Sequence, residues 1–216
     1  ERRRGTLRFL INGDLIHEQD DPRDAMGTIG LRPHRATMRI HDWAIRGNIE
    51  EVIQPEVIDV FTSGEDGYHT FRIPAIIRAA NGDLLAFAEG RVNHGGDSGD
   101  IDTVMKRSTD GGATWGELQR VGDFGTGCVG NAAPVVDQAS GDIVMLAVLQ
   151  PDESHEGDIR NNRGGYRDPC VMRSADHGQT WSEPVSLFES CDREDWRWYA
   201  TGPCHGIQLR HGEYAG

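Results

Sequence analysis

The sequence predicts an all-β fold, and three observations carry that expectation. Its 28 glycines are scattered between short apolar runs, the texture of many strands joined by tight turns. No stretch beyond Ile58 carries the spacing of an amphipathic helix. One octapeptide pattern, Ser-x-Asp-x-Gly-x-Thr-Trp, occurs twice, as Ser108–Trp115 and Ser174–Trp181. Each copy follows an apolar run ending in Arg-Ser and precedes a second run, at 117–121 or 183–187, so internal repetition organises this half of the chain.

From the start of the chain, residues 7–16 read as a hairpin turning at Asn12-Gly13. Short strands are expected at 27–32 and 36–40. So few strands cannot bury both faces alone, which implies a partner preceding them. Residues 47–57 read as a linker. Beyond it the strand candidates are Ile76–Arg78, Leu84–Glu89, Thr103–Arg107, Ala133–Val136, Ile143–Leu149 and Pro169–Arg173. The repeated octapeptide closes a hairpin in each case. Its Asp accepts turn N–H groups, its Gly supplies a positive φ, and its Trp packs against neighbouring strands.

Composition narrows the function classes. A net charge of −13 disfavours nucleic acid as a partner, and any anionic ligand would need a local cluster of arginines. Lys106 is the only lysine, so nearly all positive charge is guanidinium, the group suited to bidentate carboxylate binding. Genomic base composition accounts for that bias equally well. No apolar run approaches the roughly 20 residues that span a bilayer. The chain opens Glu-Arg-Arg-Arg-Gly without an initiator Met, as expected of a piece cut from something longer. Cys128, Cys170, Cys191 and Cys204 form no CxxC pair, so no zinc site is expected, while disulfides and buried thiols both stay open. Residues 125–130 spell G-x-G-x-x-G, but Pro134 interrupts any following helix and the dinucleotide reading is rejected.

The doubled octapeptide resembles the Asp box of sialidase-like β-propellers, and further motifs resemble the bacterial-type exo-sialidase (neuraminidase) family. Phe71-Arg72-Ile73-Pro74 looks like its Phe/Tyr-Arg-Ile-Pro motif, and Leu84–Arg91 looks like its strand ending in Glu-Gly-Arg. Asn131–Asp137 is similar to a second-blade segment, and Tyr199–Leu209 is similar to a Gly-Pro-Gly-x-Gly-Ile-Gln-Leu strand of the third blade, with Cys204 in place of a Gly. The resemblance implies the N-terminal portion of a six-bladed β-propeller. Residues 58–216 would form its first two to three blades, and 1–46 the closing strands of a concanavalin-like β-sandwich.

The same resemblance implies site residues. Arg72 would clamp the substrate carboxylate, with Arg91 directed toward the sugar's 4-hydroxyl region. Asp97, on the Gly-rich loop after the Glu-Gly-Arg strand, would be the general acid/base, with Asp100 in reserve. A surface arginine, an Arg91–Glu89 salt bridge and a turn-capping Asn are the structural alternatives. Asn131 would face the 4-hydroxyl and amide. To donate a proton near neutrality, Asp97 would need its pKa raised, by burial or by the bound sugar's negative charge. His205 reads as a hydrogen-bonded turn residue rather than a catalyst. The implied function is an exo-sialidase hydrolysing terminal sialic acids from glycoconjugates with retention, through a tyrosine nucleophile beyond this chain. No cofactor or metal is implied, and the chain alone is expected to be inactive. Sialylated glycans and the missing C-terminal remainder are the implied partners, and a secreted, periplasmic or cell-surface location follows from the resemblance alone. A trans-sialidase, or a non-catalytic Asp-box propeller binding glycans or proteins, shares most of these features.

Overall fold

A computed structural model of the chain describes residues 2–3, 6–11, 14–20, 57–152, 154–191, 196–213 and 215. Two compact units divide between Gln54 and Pro55.

In the first unit, β1 (Arg2–Arg3), β2 (Thr6–Ile11) and β3 (Asp14–Asp20) form one sheet in that order. β2 and β3 pair antiparallel with Ile11 opposite Asp14, and Arg8 pairs with Glu18 across the ladder. The Asn12-Gly13 turn, the strands expected at 27–32 and 36–40, and linker residues 47–56 lie outside the described residues.

The second unit is built from two antiparallel meanders. β4 (Thr70–Arg78), β5 (Leu84–Arg91), β6 (Ile101–Ser108) and β7 (Gln119–Gly122) form the first. β8 (Cys128–Val136), β9 (Ile143–Gln150), β10 (Asp168–Ser174) and β11 (Val185–Ser186) form the second. A single parallel pairing, Ile101 with Cys128, joins them into one eight-stranded sheet. Every strand expected beyond Ile58, apart from the 199–209 run, has a counterpart: six are extended at one or both ends, whereas the runs expected at 117–121 and 183–187 form only the shorter β7 and β11. Leu85, Phe87, Met105, Ile143, Met145 and Met172 are sealed in one core shared by both meanders.

The two octapeptide turns are superimposable in their bonding. Thr114 N and Oγ1 donate to the Asp110 carboxylate at 2.9 and 2.6 Å, and Gly112 N donates to Ser108 Oγ at 2.8 Å. In the second copy Thr180 N donates to Asp176 at 2.9 Å, Thr180 Oγ1 to the same carboxylate, and Gly178 N to Ser174 Oγ at 2.7 Å. These donors, the threonine hydroxyls foremost, hold both aspartates well below the usual carboxylate range. Depressed folded values mean the bonds stabilise the fold above the unfolded pKa of about 3.9, and that contribution is lost only as pH falls through the lower folded value.

The second turn also docks onto the first meander. Trp181 meets Phe87 edge-on at 5.8 Å, and Arg107 Nη2 donates to His177 O at 3.0 Å. This docking separates two otherwise equivalent glycines. Gly178 (φ +83) and Gly112 (φ +101) are both left-handed, but a Cβ at Gly178 would lie 2.7 Å from buried Leu85 Cδ1, against 3.5 Å from Leu84 Cδ1 at Gly112. Gly112→Ala is expected to cost about 1–2 kcal/mol for backbone strain. Gly178→Ala should add about 1–3 kcal/mol of overpacking. Urea midpoints of the two variants check this, and equal losses would refute the docking argument.

Two sequence expectations are corrected. Short helices are present, α1 (Glu156–Arg160) and α2 (Phe188–Cys191). One turn is too short to carry a periodic apolar stripe, so no periodicity in the sequence marks them. Residues 199–209, expected to be a strand, form none. Their run is interrupted at Cys204, a non-glycine residue at φ +84, and it touches β8 through Gly206 N donating to Pro134 O at 2.9 Å. All four cysteines are free, Cys128 and Cys170 being buried.

Candidate active site

The first strand of each meander carries a bulge at the same place. The β4 ladder slips between Arg72 and Ala75, with Ile73 left-handed at φ +56; the β8 ladder slips between Gly130 and Ala133, with Asn131 at φ +53. A bulge re-aims the side chains around it, and a β-branched residue in that region is a genuine outlier. Arg72, Ile73 and Asn131 all line one cleft of about 220 Å³, together with Glu89 and Arg91 of β5 and Asp97 of the following loop. Of the roomier clefts elsewhere, two of about 380 and 430 Å³ have no carboxylate in their lining, and another of about 430 Å³ has only Asp158, which is paired with Arg163.

The sequence-predicted residues meet here. Asp97 Oδ1 lies 2.8 Å from Arg72 Nη1 and 2.8 Å from Arg91 Nη1, so one carboxylate bridges two guanidiniums. Arg91 is 2% exposed, whereas Arg72 and Asp97 keep 44% and 60% of their side-chain surface in solvent. Arg91 Nη1 also donates to Gly95 O and Gly96 O, both at 2.7 Å, which fixes the backbone of the Asp97 loop. The Arg91–Glu89 salt bridge is formed too, with Nη2 to Oε2 at 2.5 Å, so Arg91 anchors the loop while it lines the cleft. Burial opposes its charge, but Glu89 and Asp97 more than restore it and hold its pKa above the ordinary value.

Glu89 reaches further than a single pair. Its Oε1 accepts the backbone N–H of Asn131 at 2.9 Å, linking the first meander to the bulge of the second. A Cβ at Gly130 would sit 2.6 Å from that oxygen, so a glycine must precede Asn131. Asn131 Oδ1 accepts from Arg167 Nη1 at 3.1 Å.

Arg167 was not legible from the sequence. It is 5% exposed, and its described hydrogen bonds run to neutral acceptors: Gln150 Oε1 at 2.8 Å, Asn131 Oδ1, and Tyr199 O at 2.7 Å. Burial pulls its pKa down. The ring of Trp198 covers its guanidinium at 3.8 Å, so Trp198 both packs and lines the cleft. Only the position of Arg167 at the head of an apolar strand could have drawn notice.

Burial, the first of the two routes to a raised Asp97 pKa, does not achieve it on its own. Burial pushes the carboxyl up, but Arg91 and Arg72 together outweigh it and hold Asp97 below the ordinary range. Held by both guanidiniums, it is a carboxylate. The reserve candidate Asp100 does not line the cleft, and burial followed by Asp123 raises its pKa. Asp102 is buried, accepts Tyr68 Oη at 2.6 Å, and is likewise raised by burial. The Cys128 thiol in the cleft wall is pushed up to about 12, by burial first and Glu89 second, and is no nucleophile. Among the described residues no cluster of His, Cys, Asp and Glu has metal-binding geometry, and no helix is long and apolar enough to cross a membrane. His205 Nδ1 sits 2.9 Å from Gly206 O, within its own turn.

This chain is similar to several known proteins. The BNR repeat-like domain model matches residues 82–215. An exo-alpha-sialidase of Aspergillus fumigatus is 37% identical over 164 residues, which cover 68% of this chain and 40% of that protein. A sialidase of Micromonospora viridifaciens is 34% identical over 169 residues, covering 73% of this chain and 26% of that protein. Among solved structures, the Hadza microbial sialidase Hz136 has a TM-score of 0.64 at 28% identity, covering 70% of this chain and 32% of that one. The chain thus spans well under half the length of these relatives. Because the repeat match takes in more than half of its residues and these relatives agree on one name, the chain belongs to the sialidase family.

Proposed function

We propose that this chain forms part of an exo-sialidase that hydrolyses terminal sialic acids from glycoconjugates with retention of configuration. The observation that carries the reading is the meeting of Arg72, Arg91 and Asp97 at 2.8 Å contacts around one cleft. A cleft built for a neutral sugar has no use for an exposed guanidinium on a strained bulge, and a pure binding site has no use for an adjacent proton carrier. Arg72 takes the carboxylate of the sialic acid, Arg91 faces the 4-hydroxyl region, and Asn131 faces the 4-hydroxyl and amide. Asp97 passes its proton to the departing glycosidic oxygen and later takes one from the attacking water.

The nucleophile is a tyrosine outside residues 1–216, activated by a carboxylate. Tyr68 Oη donates to Asp102 and Tyr199 Oη to Arg167 O, and neither tyrosine lines the cleft. In this reading the two meanders are the first blades of a six-bladed propeller. Residues 1–46 are the closing strands of a sandwich module, 47–57 a linker, and the protein acts outside the cytoplasm.

The test is hydrolysis of a fluorogenic sialoside by the full-length protein, with the first-formed anomer read by NMR. Release of the α-anomer supports the reading, and residues 1–216 alone should show no turnover. Sialoside binding without turnover would favour a glycan-binding module, and transfer to an added sugar acceptor a trans-sialidase. A β-anomer as first product would end the proposed mechanism.

A further inference from the structure

The site holds a carboxylate of its own. Asp97 Oδ1 occupies the point between Arg72 Nη1 and Arg91 Nη1 where two guanidiniums converge. The two arginines differ in what else holds them. Arg91 is buried and keeps Glu89, Gly95 O and Gly96 O whether or not Asp97 stays. Arg72 is half-exposed, and its other hydrogen bond is a longer one, 3.2 Å to Gly95 O. The Arg72–Asp97 contact is therefore the weak, solvent-facing half of the bridge, the kind of pair that a competing anion can open.

We propose that the substrate's carboxylate displaces Asp97 from Arg72, so that binding an anionic sugar is itself the event that releases the proton carrier. This rests on the functional reading above and specifies how its substrate class is enforced. A neutral sugar leaves Asp97 clamped between two cations, where it is ionised and cannot donate. An anionic sugar takes over Arg72 and sets its own negative charge beside Asp97. Both changes favour the protonated carboxyl. Arg91 stays beside Asp97, so the exchange removes one of its two cations, and the other charged groups around the cleft do not replace Arg72. Glu89 is committed to Arg91 and Asn131, Glu156 of α1 to Arg160, and Arg167 to neutral acceptors, while His94 of the same loop accepts Gly96 N through Nδ1. Selectivity for acidic over neutral sugars would then appear in the chemical step as well as in affinity.

The experiment is calorimetry on the full-length protein with N-acetylneuraminic acid and its methyl ester, comparing wild type with Asp97→Ala and Asp97→Asn. With no internal competitor, Asp97→Ala should bind the acid about two- to fivefold more tightly than wild type, and the ester no more tightly. Asp97→Asn is uncharged but can still accept from Arg72, so its gain should be smaller. Equal gains in the two variants would reduce the effect to charge repulsion and overturn the exchange, as would no gain in Asp97→Ala or an equal gain for the ester. Should no form bind either sugar, the functional reading falls and acetate decides the exchange. The Arg72 Cζ resonance should then respond at several-fold lower acetate in Asp97→Ala than in wild type, and the same midpoint in both would refute it.

Discussion

Asp97→Ala in the full-length protein is expected to slow hydrolysis of a sialoside with a sugar leaving group by about 10²–10⁴-fold. That corresponds to roughly 3–5 kcal/mol of lost transition-state stabilisation. A sugar alkoxide is a poor leaving group and needs its proton as the bond breaks. An aryl leaving group such as that of a fluorogenic sialoside departs as a stable phenolate, so the same variant should lose far less with it. The comparison separates a proton donor from a structural residue. Asp97 is largely solvent-exposed, and its removal leaves Arg91 held by Glu89 and two loop carbonyls. Stability should therefore change little while the two substrates diverge. Equal losses on both substrates would show that Asp97 shapes the cleft without carrying a proton. Arg72 is exposed enough that its replacement should act mainly on KM, and it leaves the leaving-group dependence intact.

Glu89→Ala is expected to have the largest effect on the fold. The Arg91–Glu89 pair is nearly dry, with side chains 2% and 5% exposed. Removing the carboxylate leaves the buried guanidinium with only the exposed Asp97 as counter-ion and orphans the Asn131 N–H, at a cost of about 3–5 kcal/mol. For a domain of this size that lowers Tm by roughly 6–20 °C. Removing Arg91 as well deletes that buried charge, so the double variant Glu89→Ala/Arg91→Ala should be more stable than Glu89→Ala alone. A thermal scan of the three forms decides the matter. A single-variant loss under about 2 °C would show that water reaches the pair and that it carries little.

Much of the fold was legible because strands joined by turns announce themselves locally. The octapeptides specify their own geometry: the Ser108, Asp110, Gly112 and Thr114 bonds recur at Ser174, Asp176, Gly178 and Thr180, with no help from distant residues. Apolar runs such as Ile143–Gln150 likewise marked their strands. The 199–209 segment misled because its residue types suit a strand, whereas its path turns on one backbone angle at Cys204, which composition does not encode.

The site divides along the same line. Sequence alone nominated Arg72, Arg91, Asp97 and Asn131, which all stand in recognisable local motifs, and the fold brings the four to one cleft. What those residues do to one another was decided by tertiary structure. The clamping of Asp97 between two arginines, the reach of Glu89 from Arg91 to Asn131, and the burial of Arg167 beneath Trp198 join residues of different strands or meanders. The physical reason is one of range. A turn's hydrogen bonds close within five residues, so the sequence holds them all. A carboxylate's pKa is set by charges within a few ångströms in space, and only the folded chain brings those charges together.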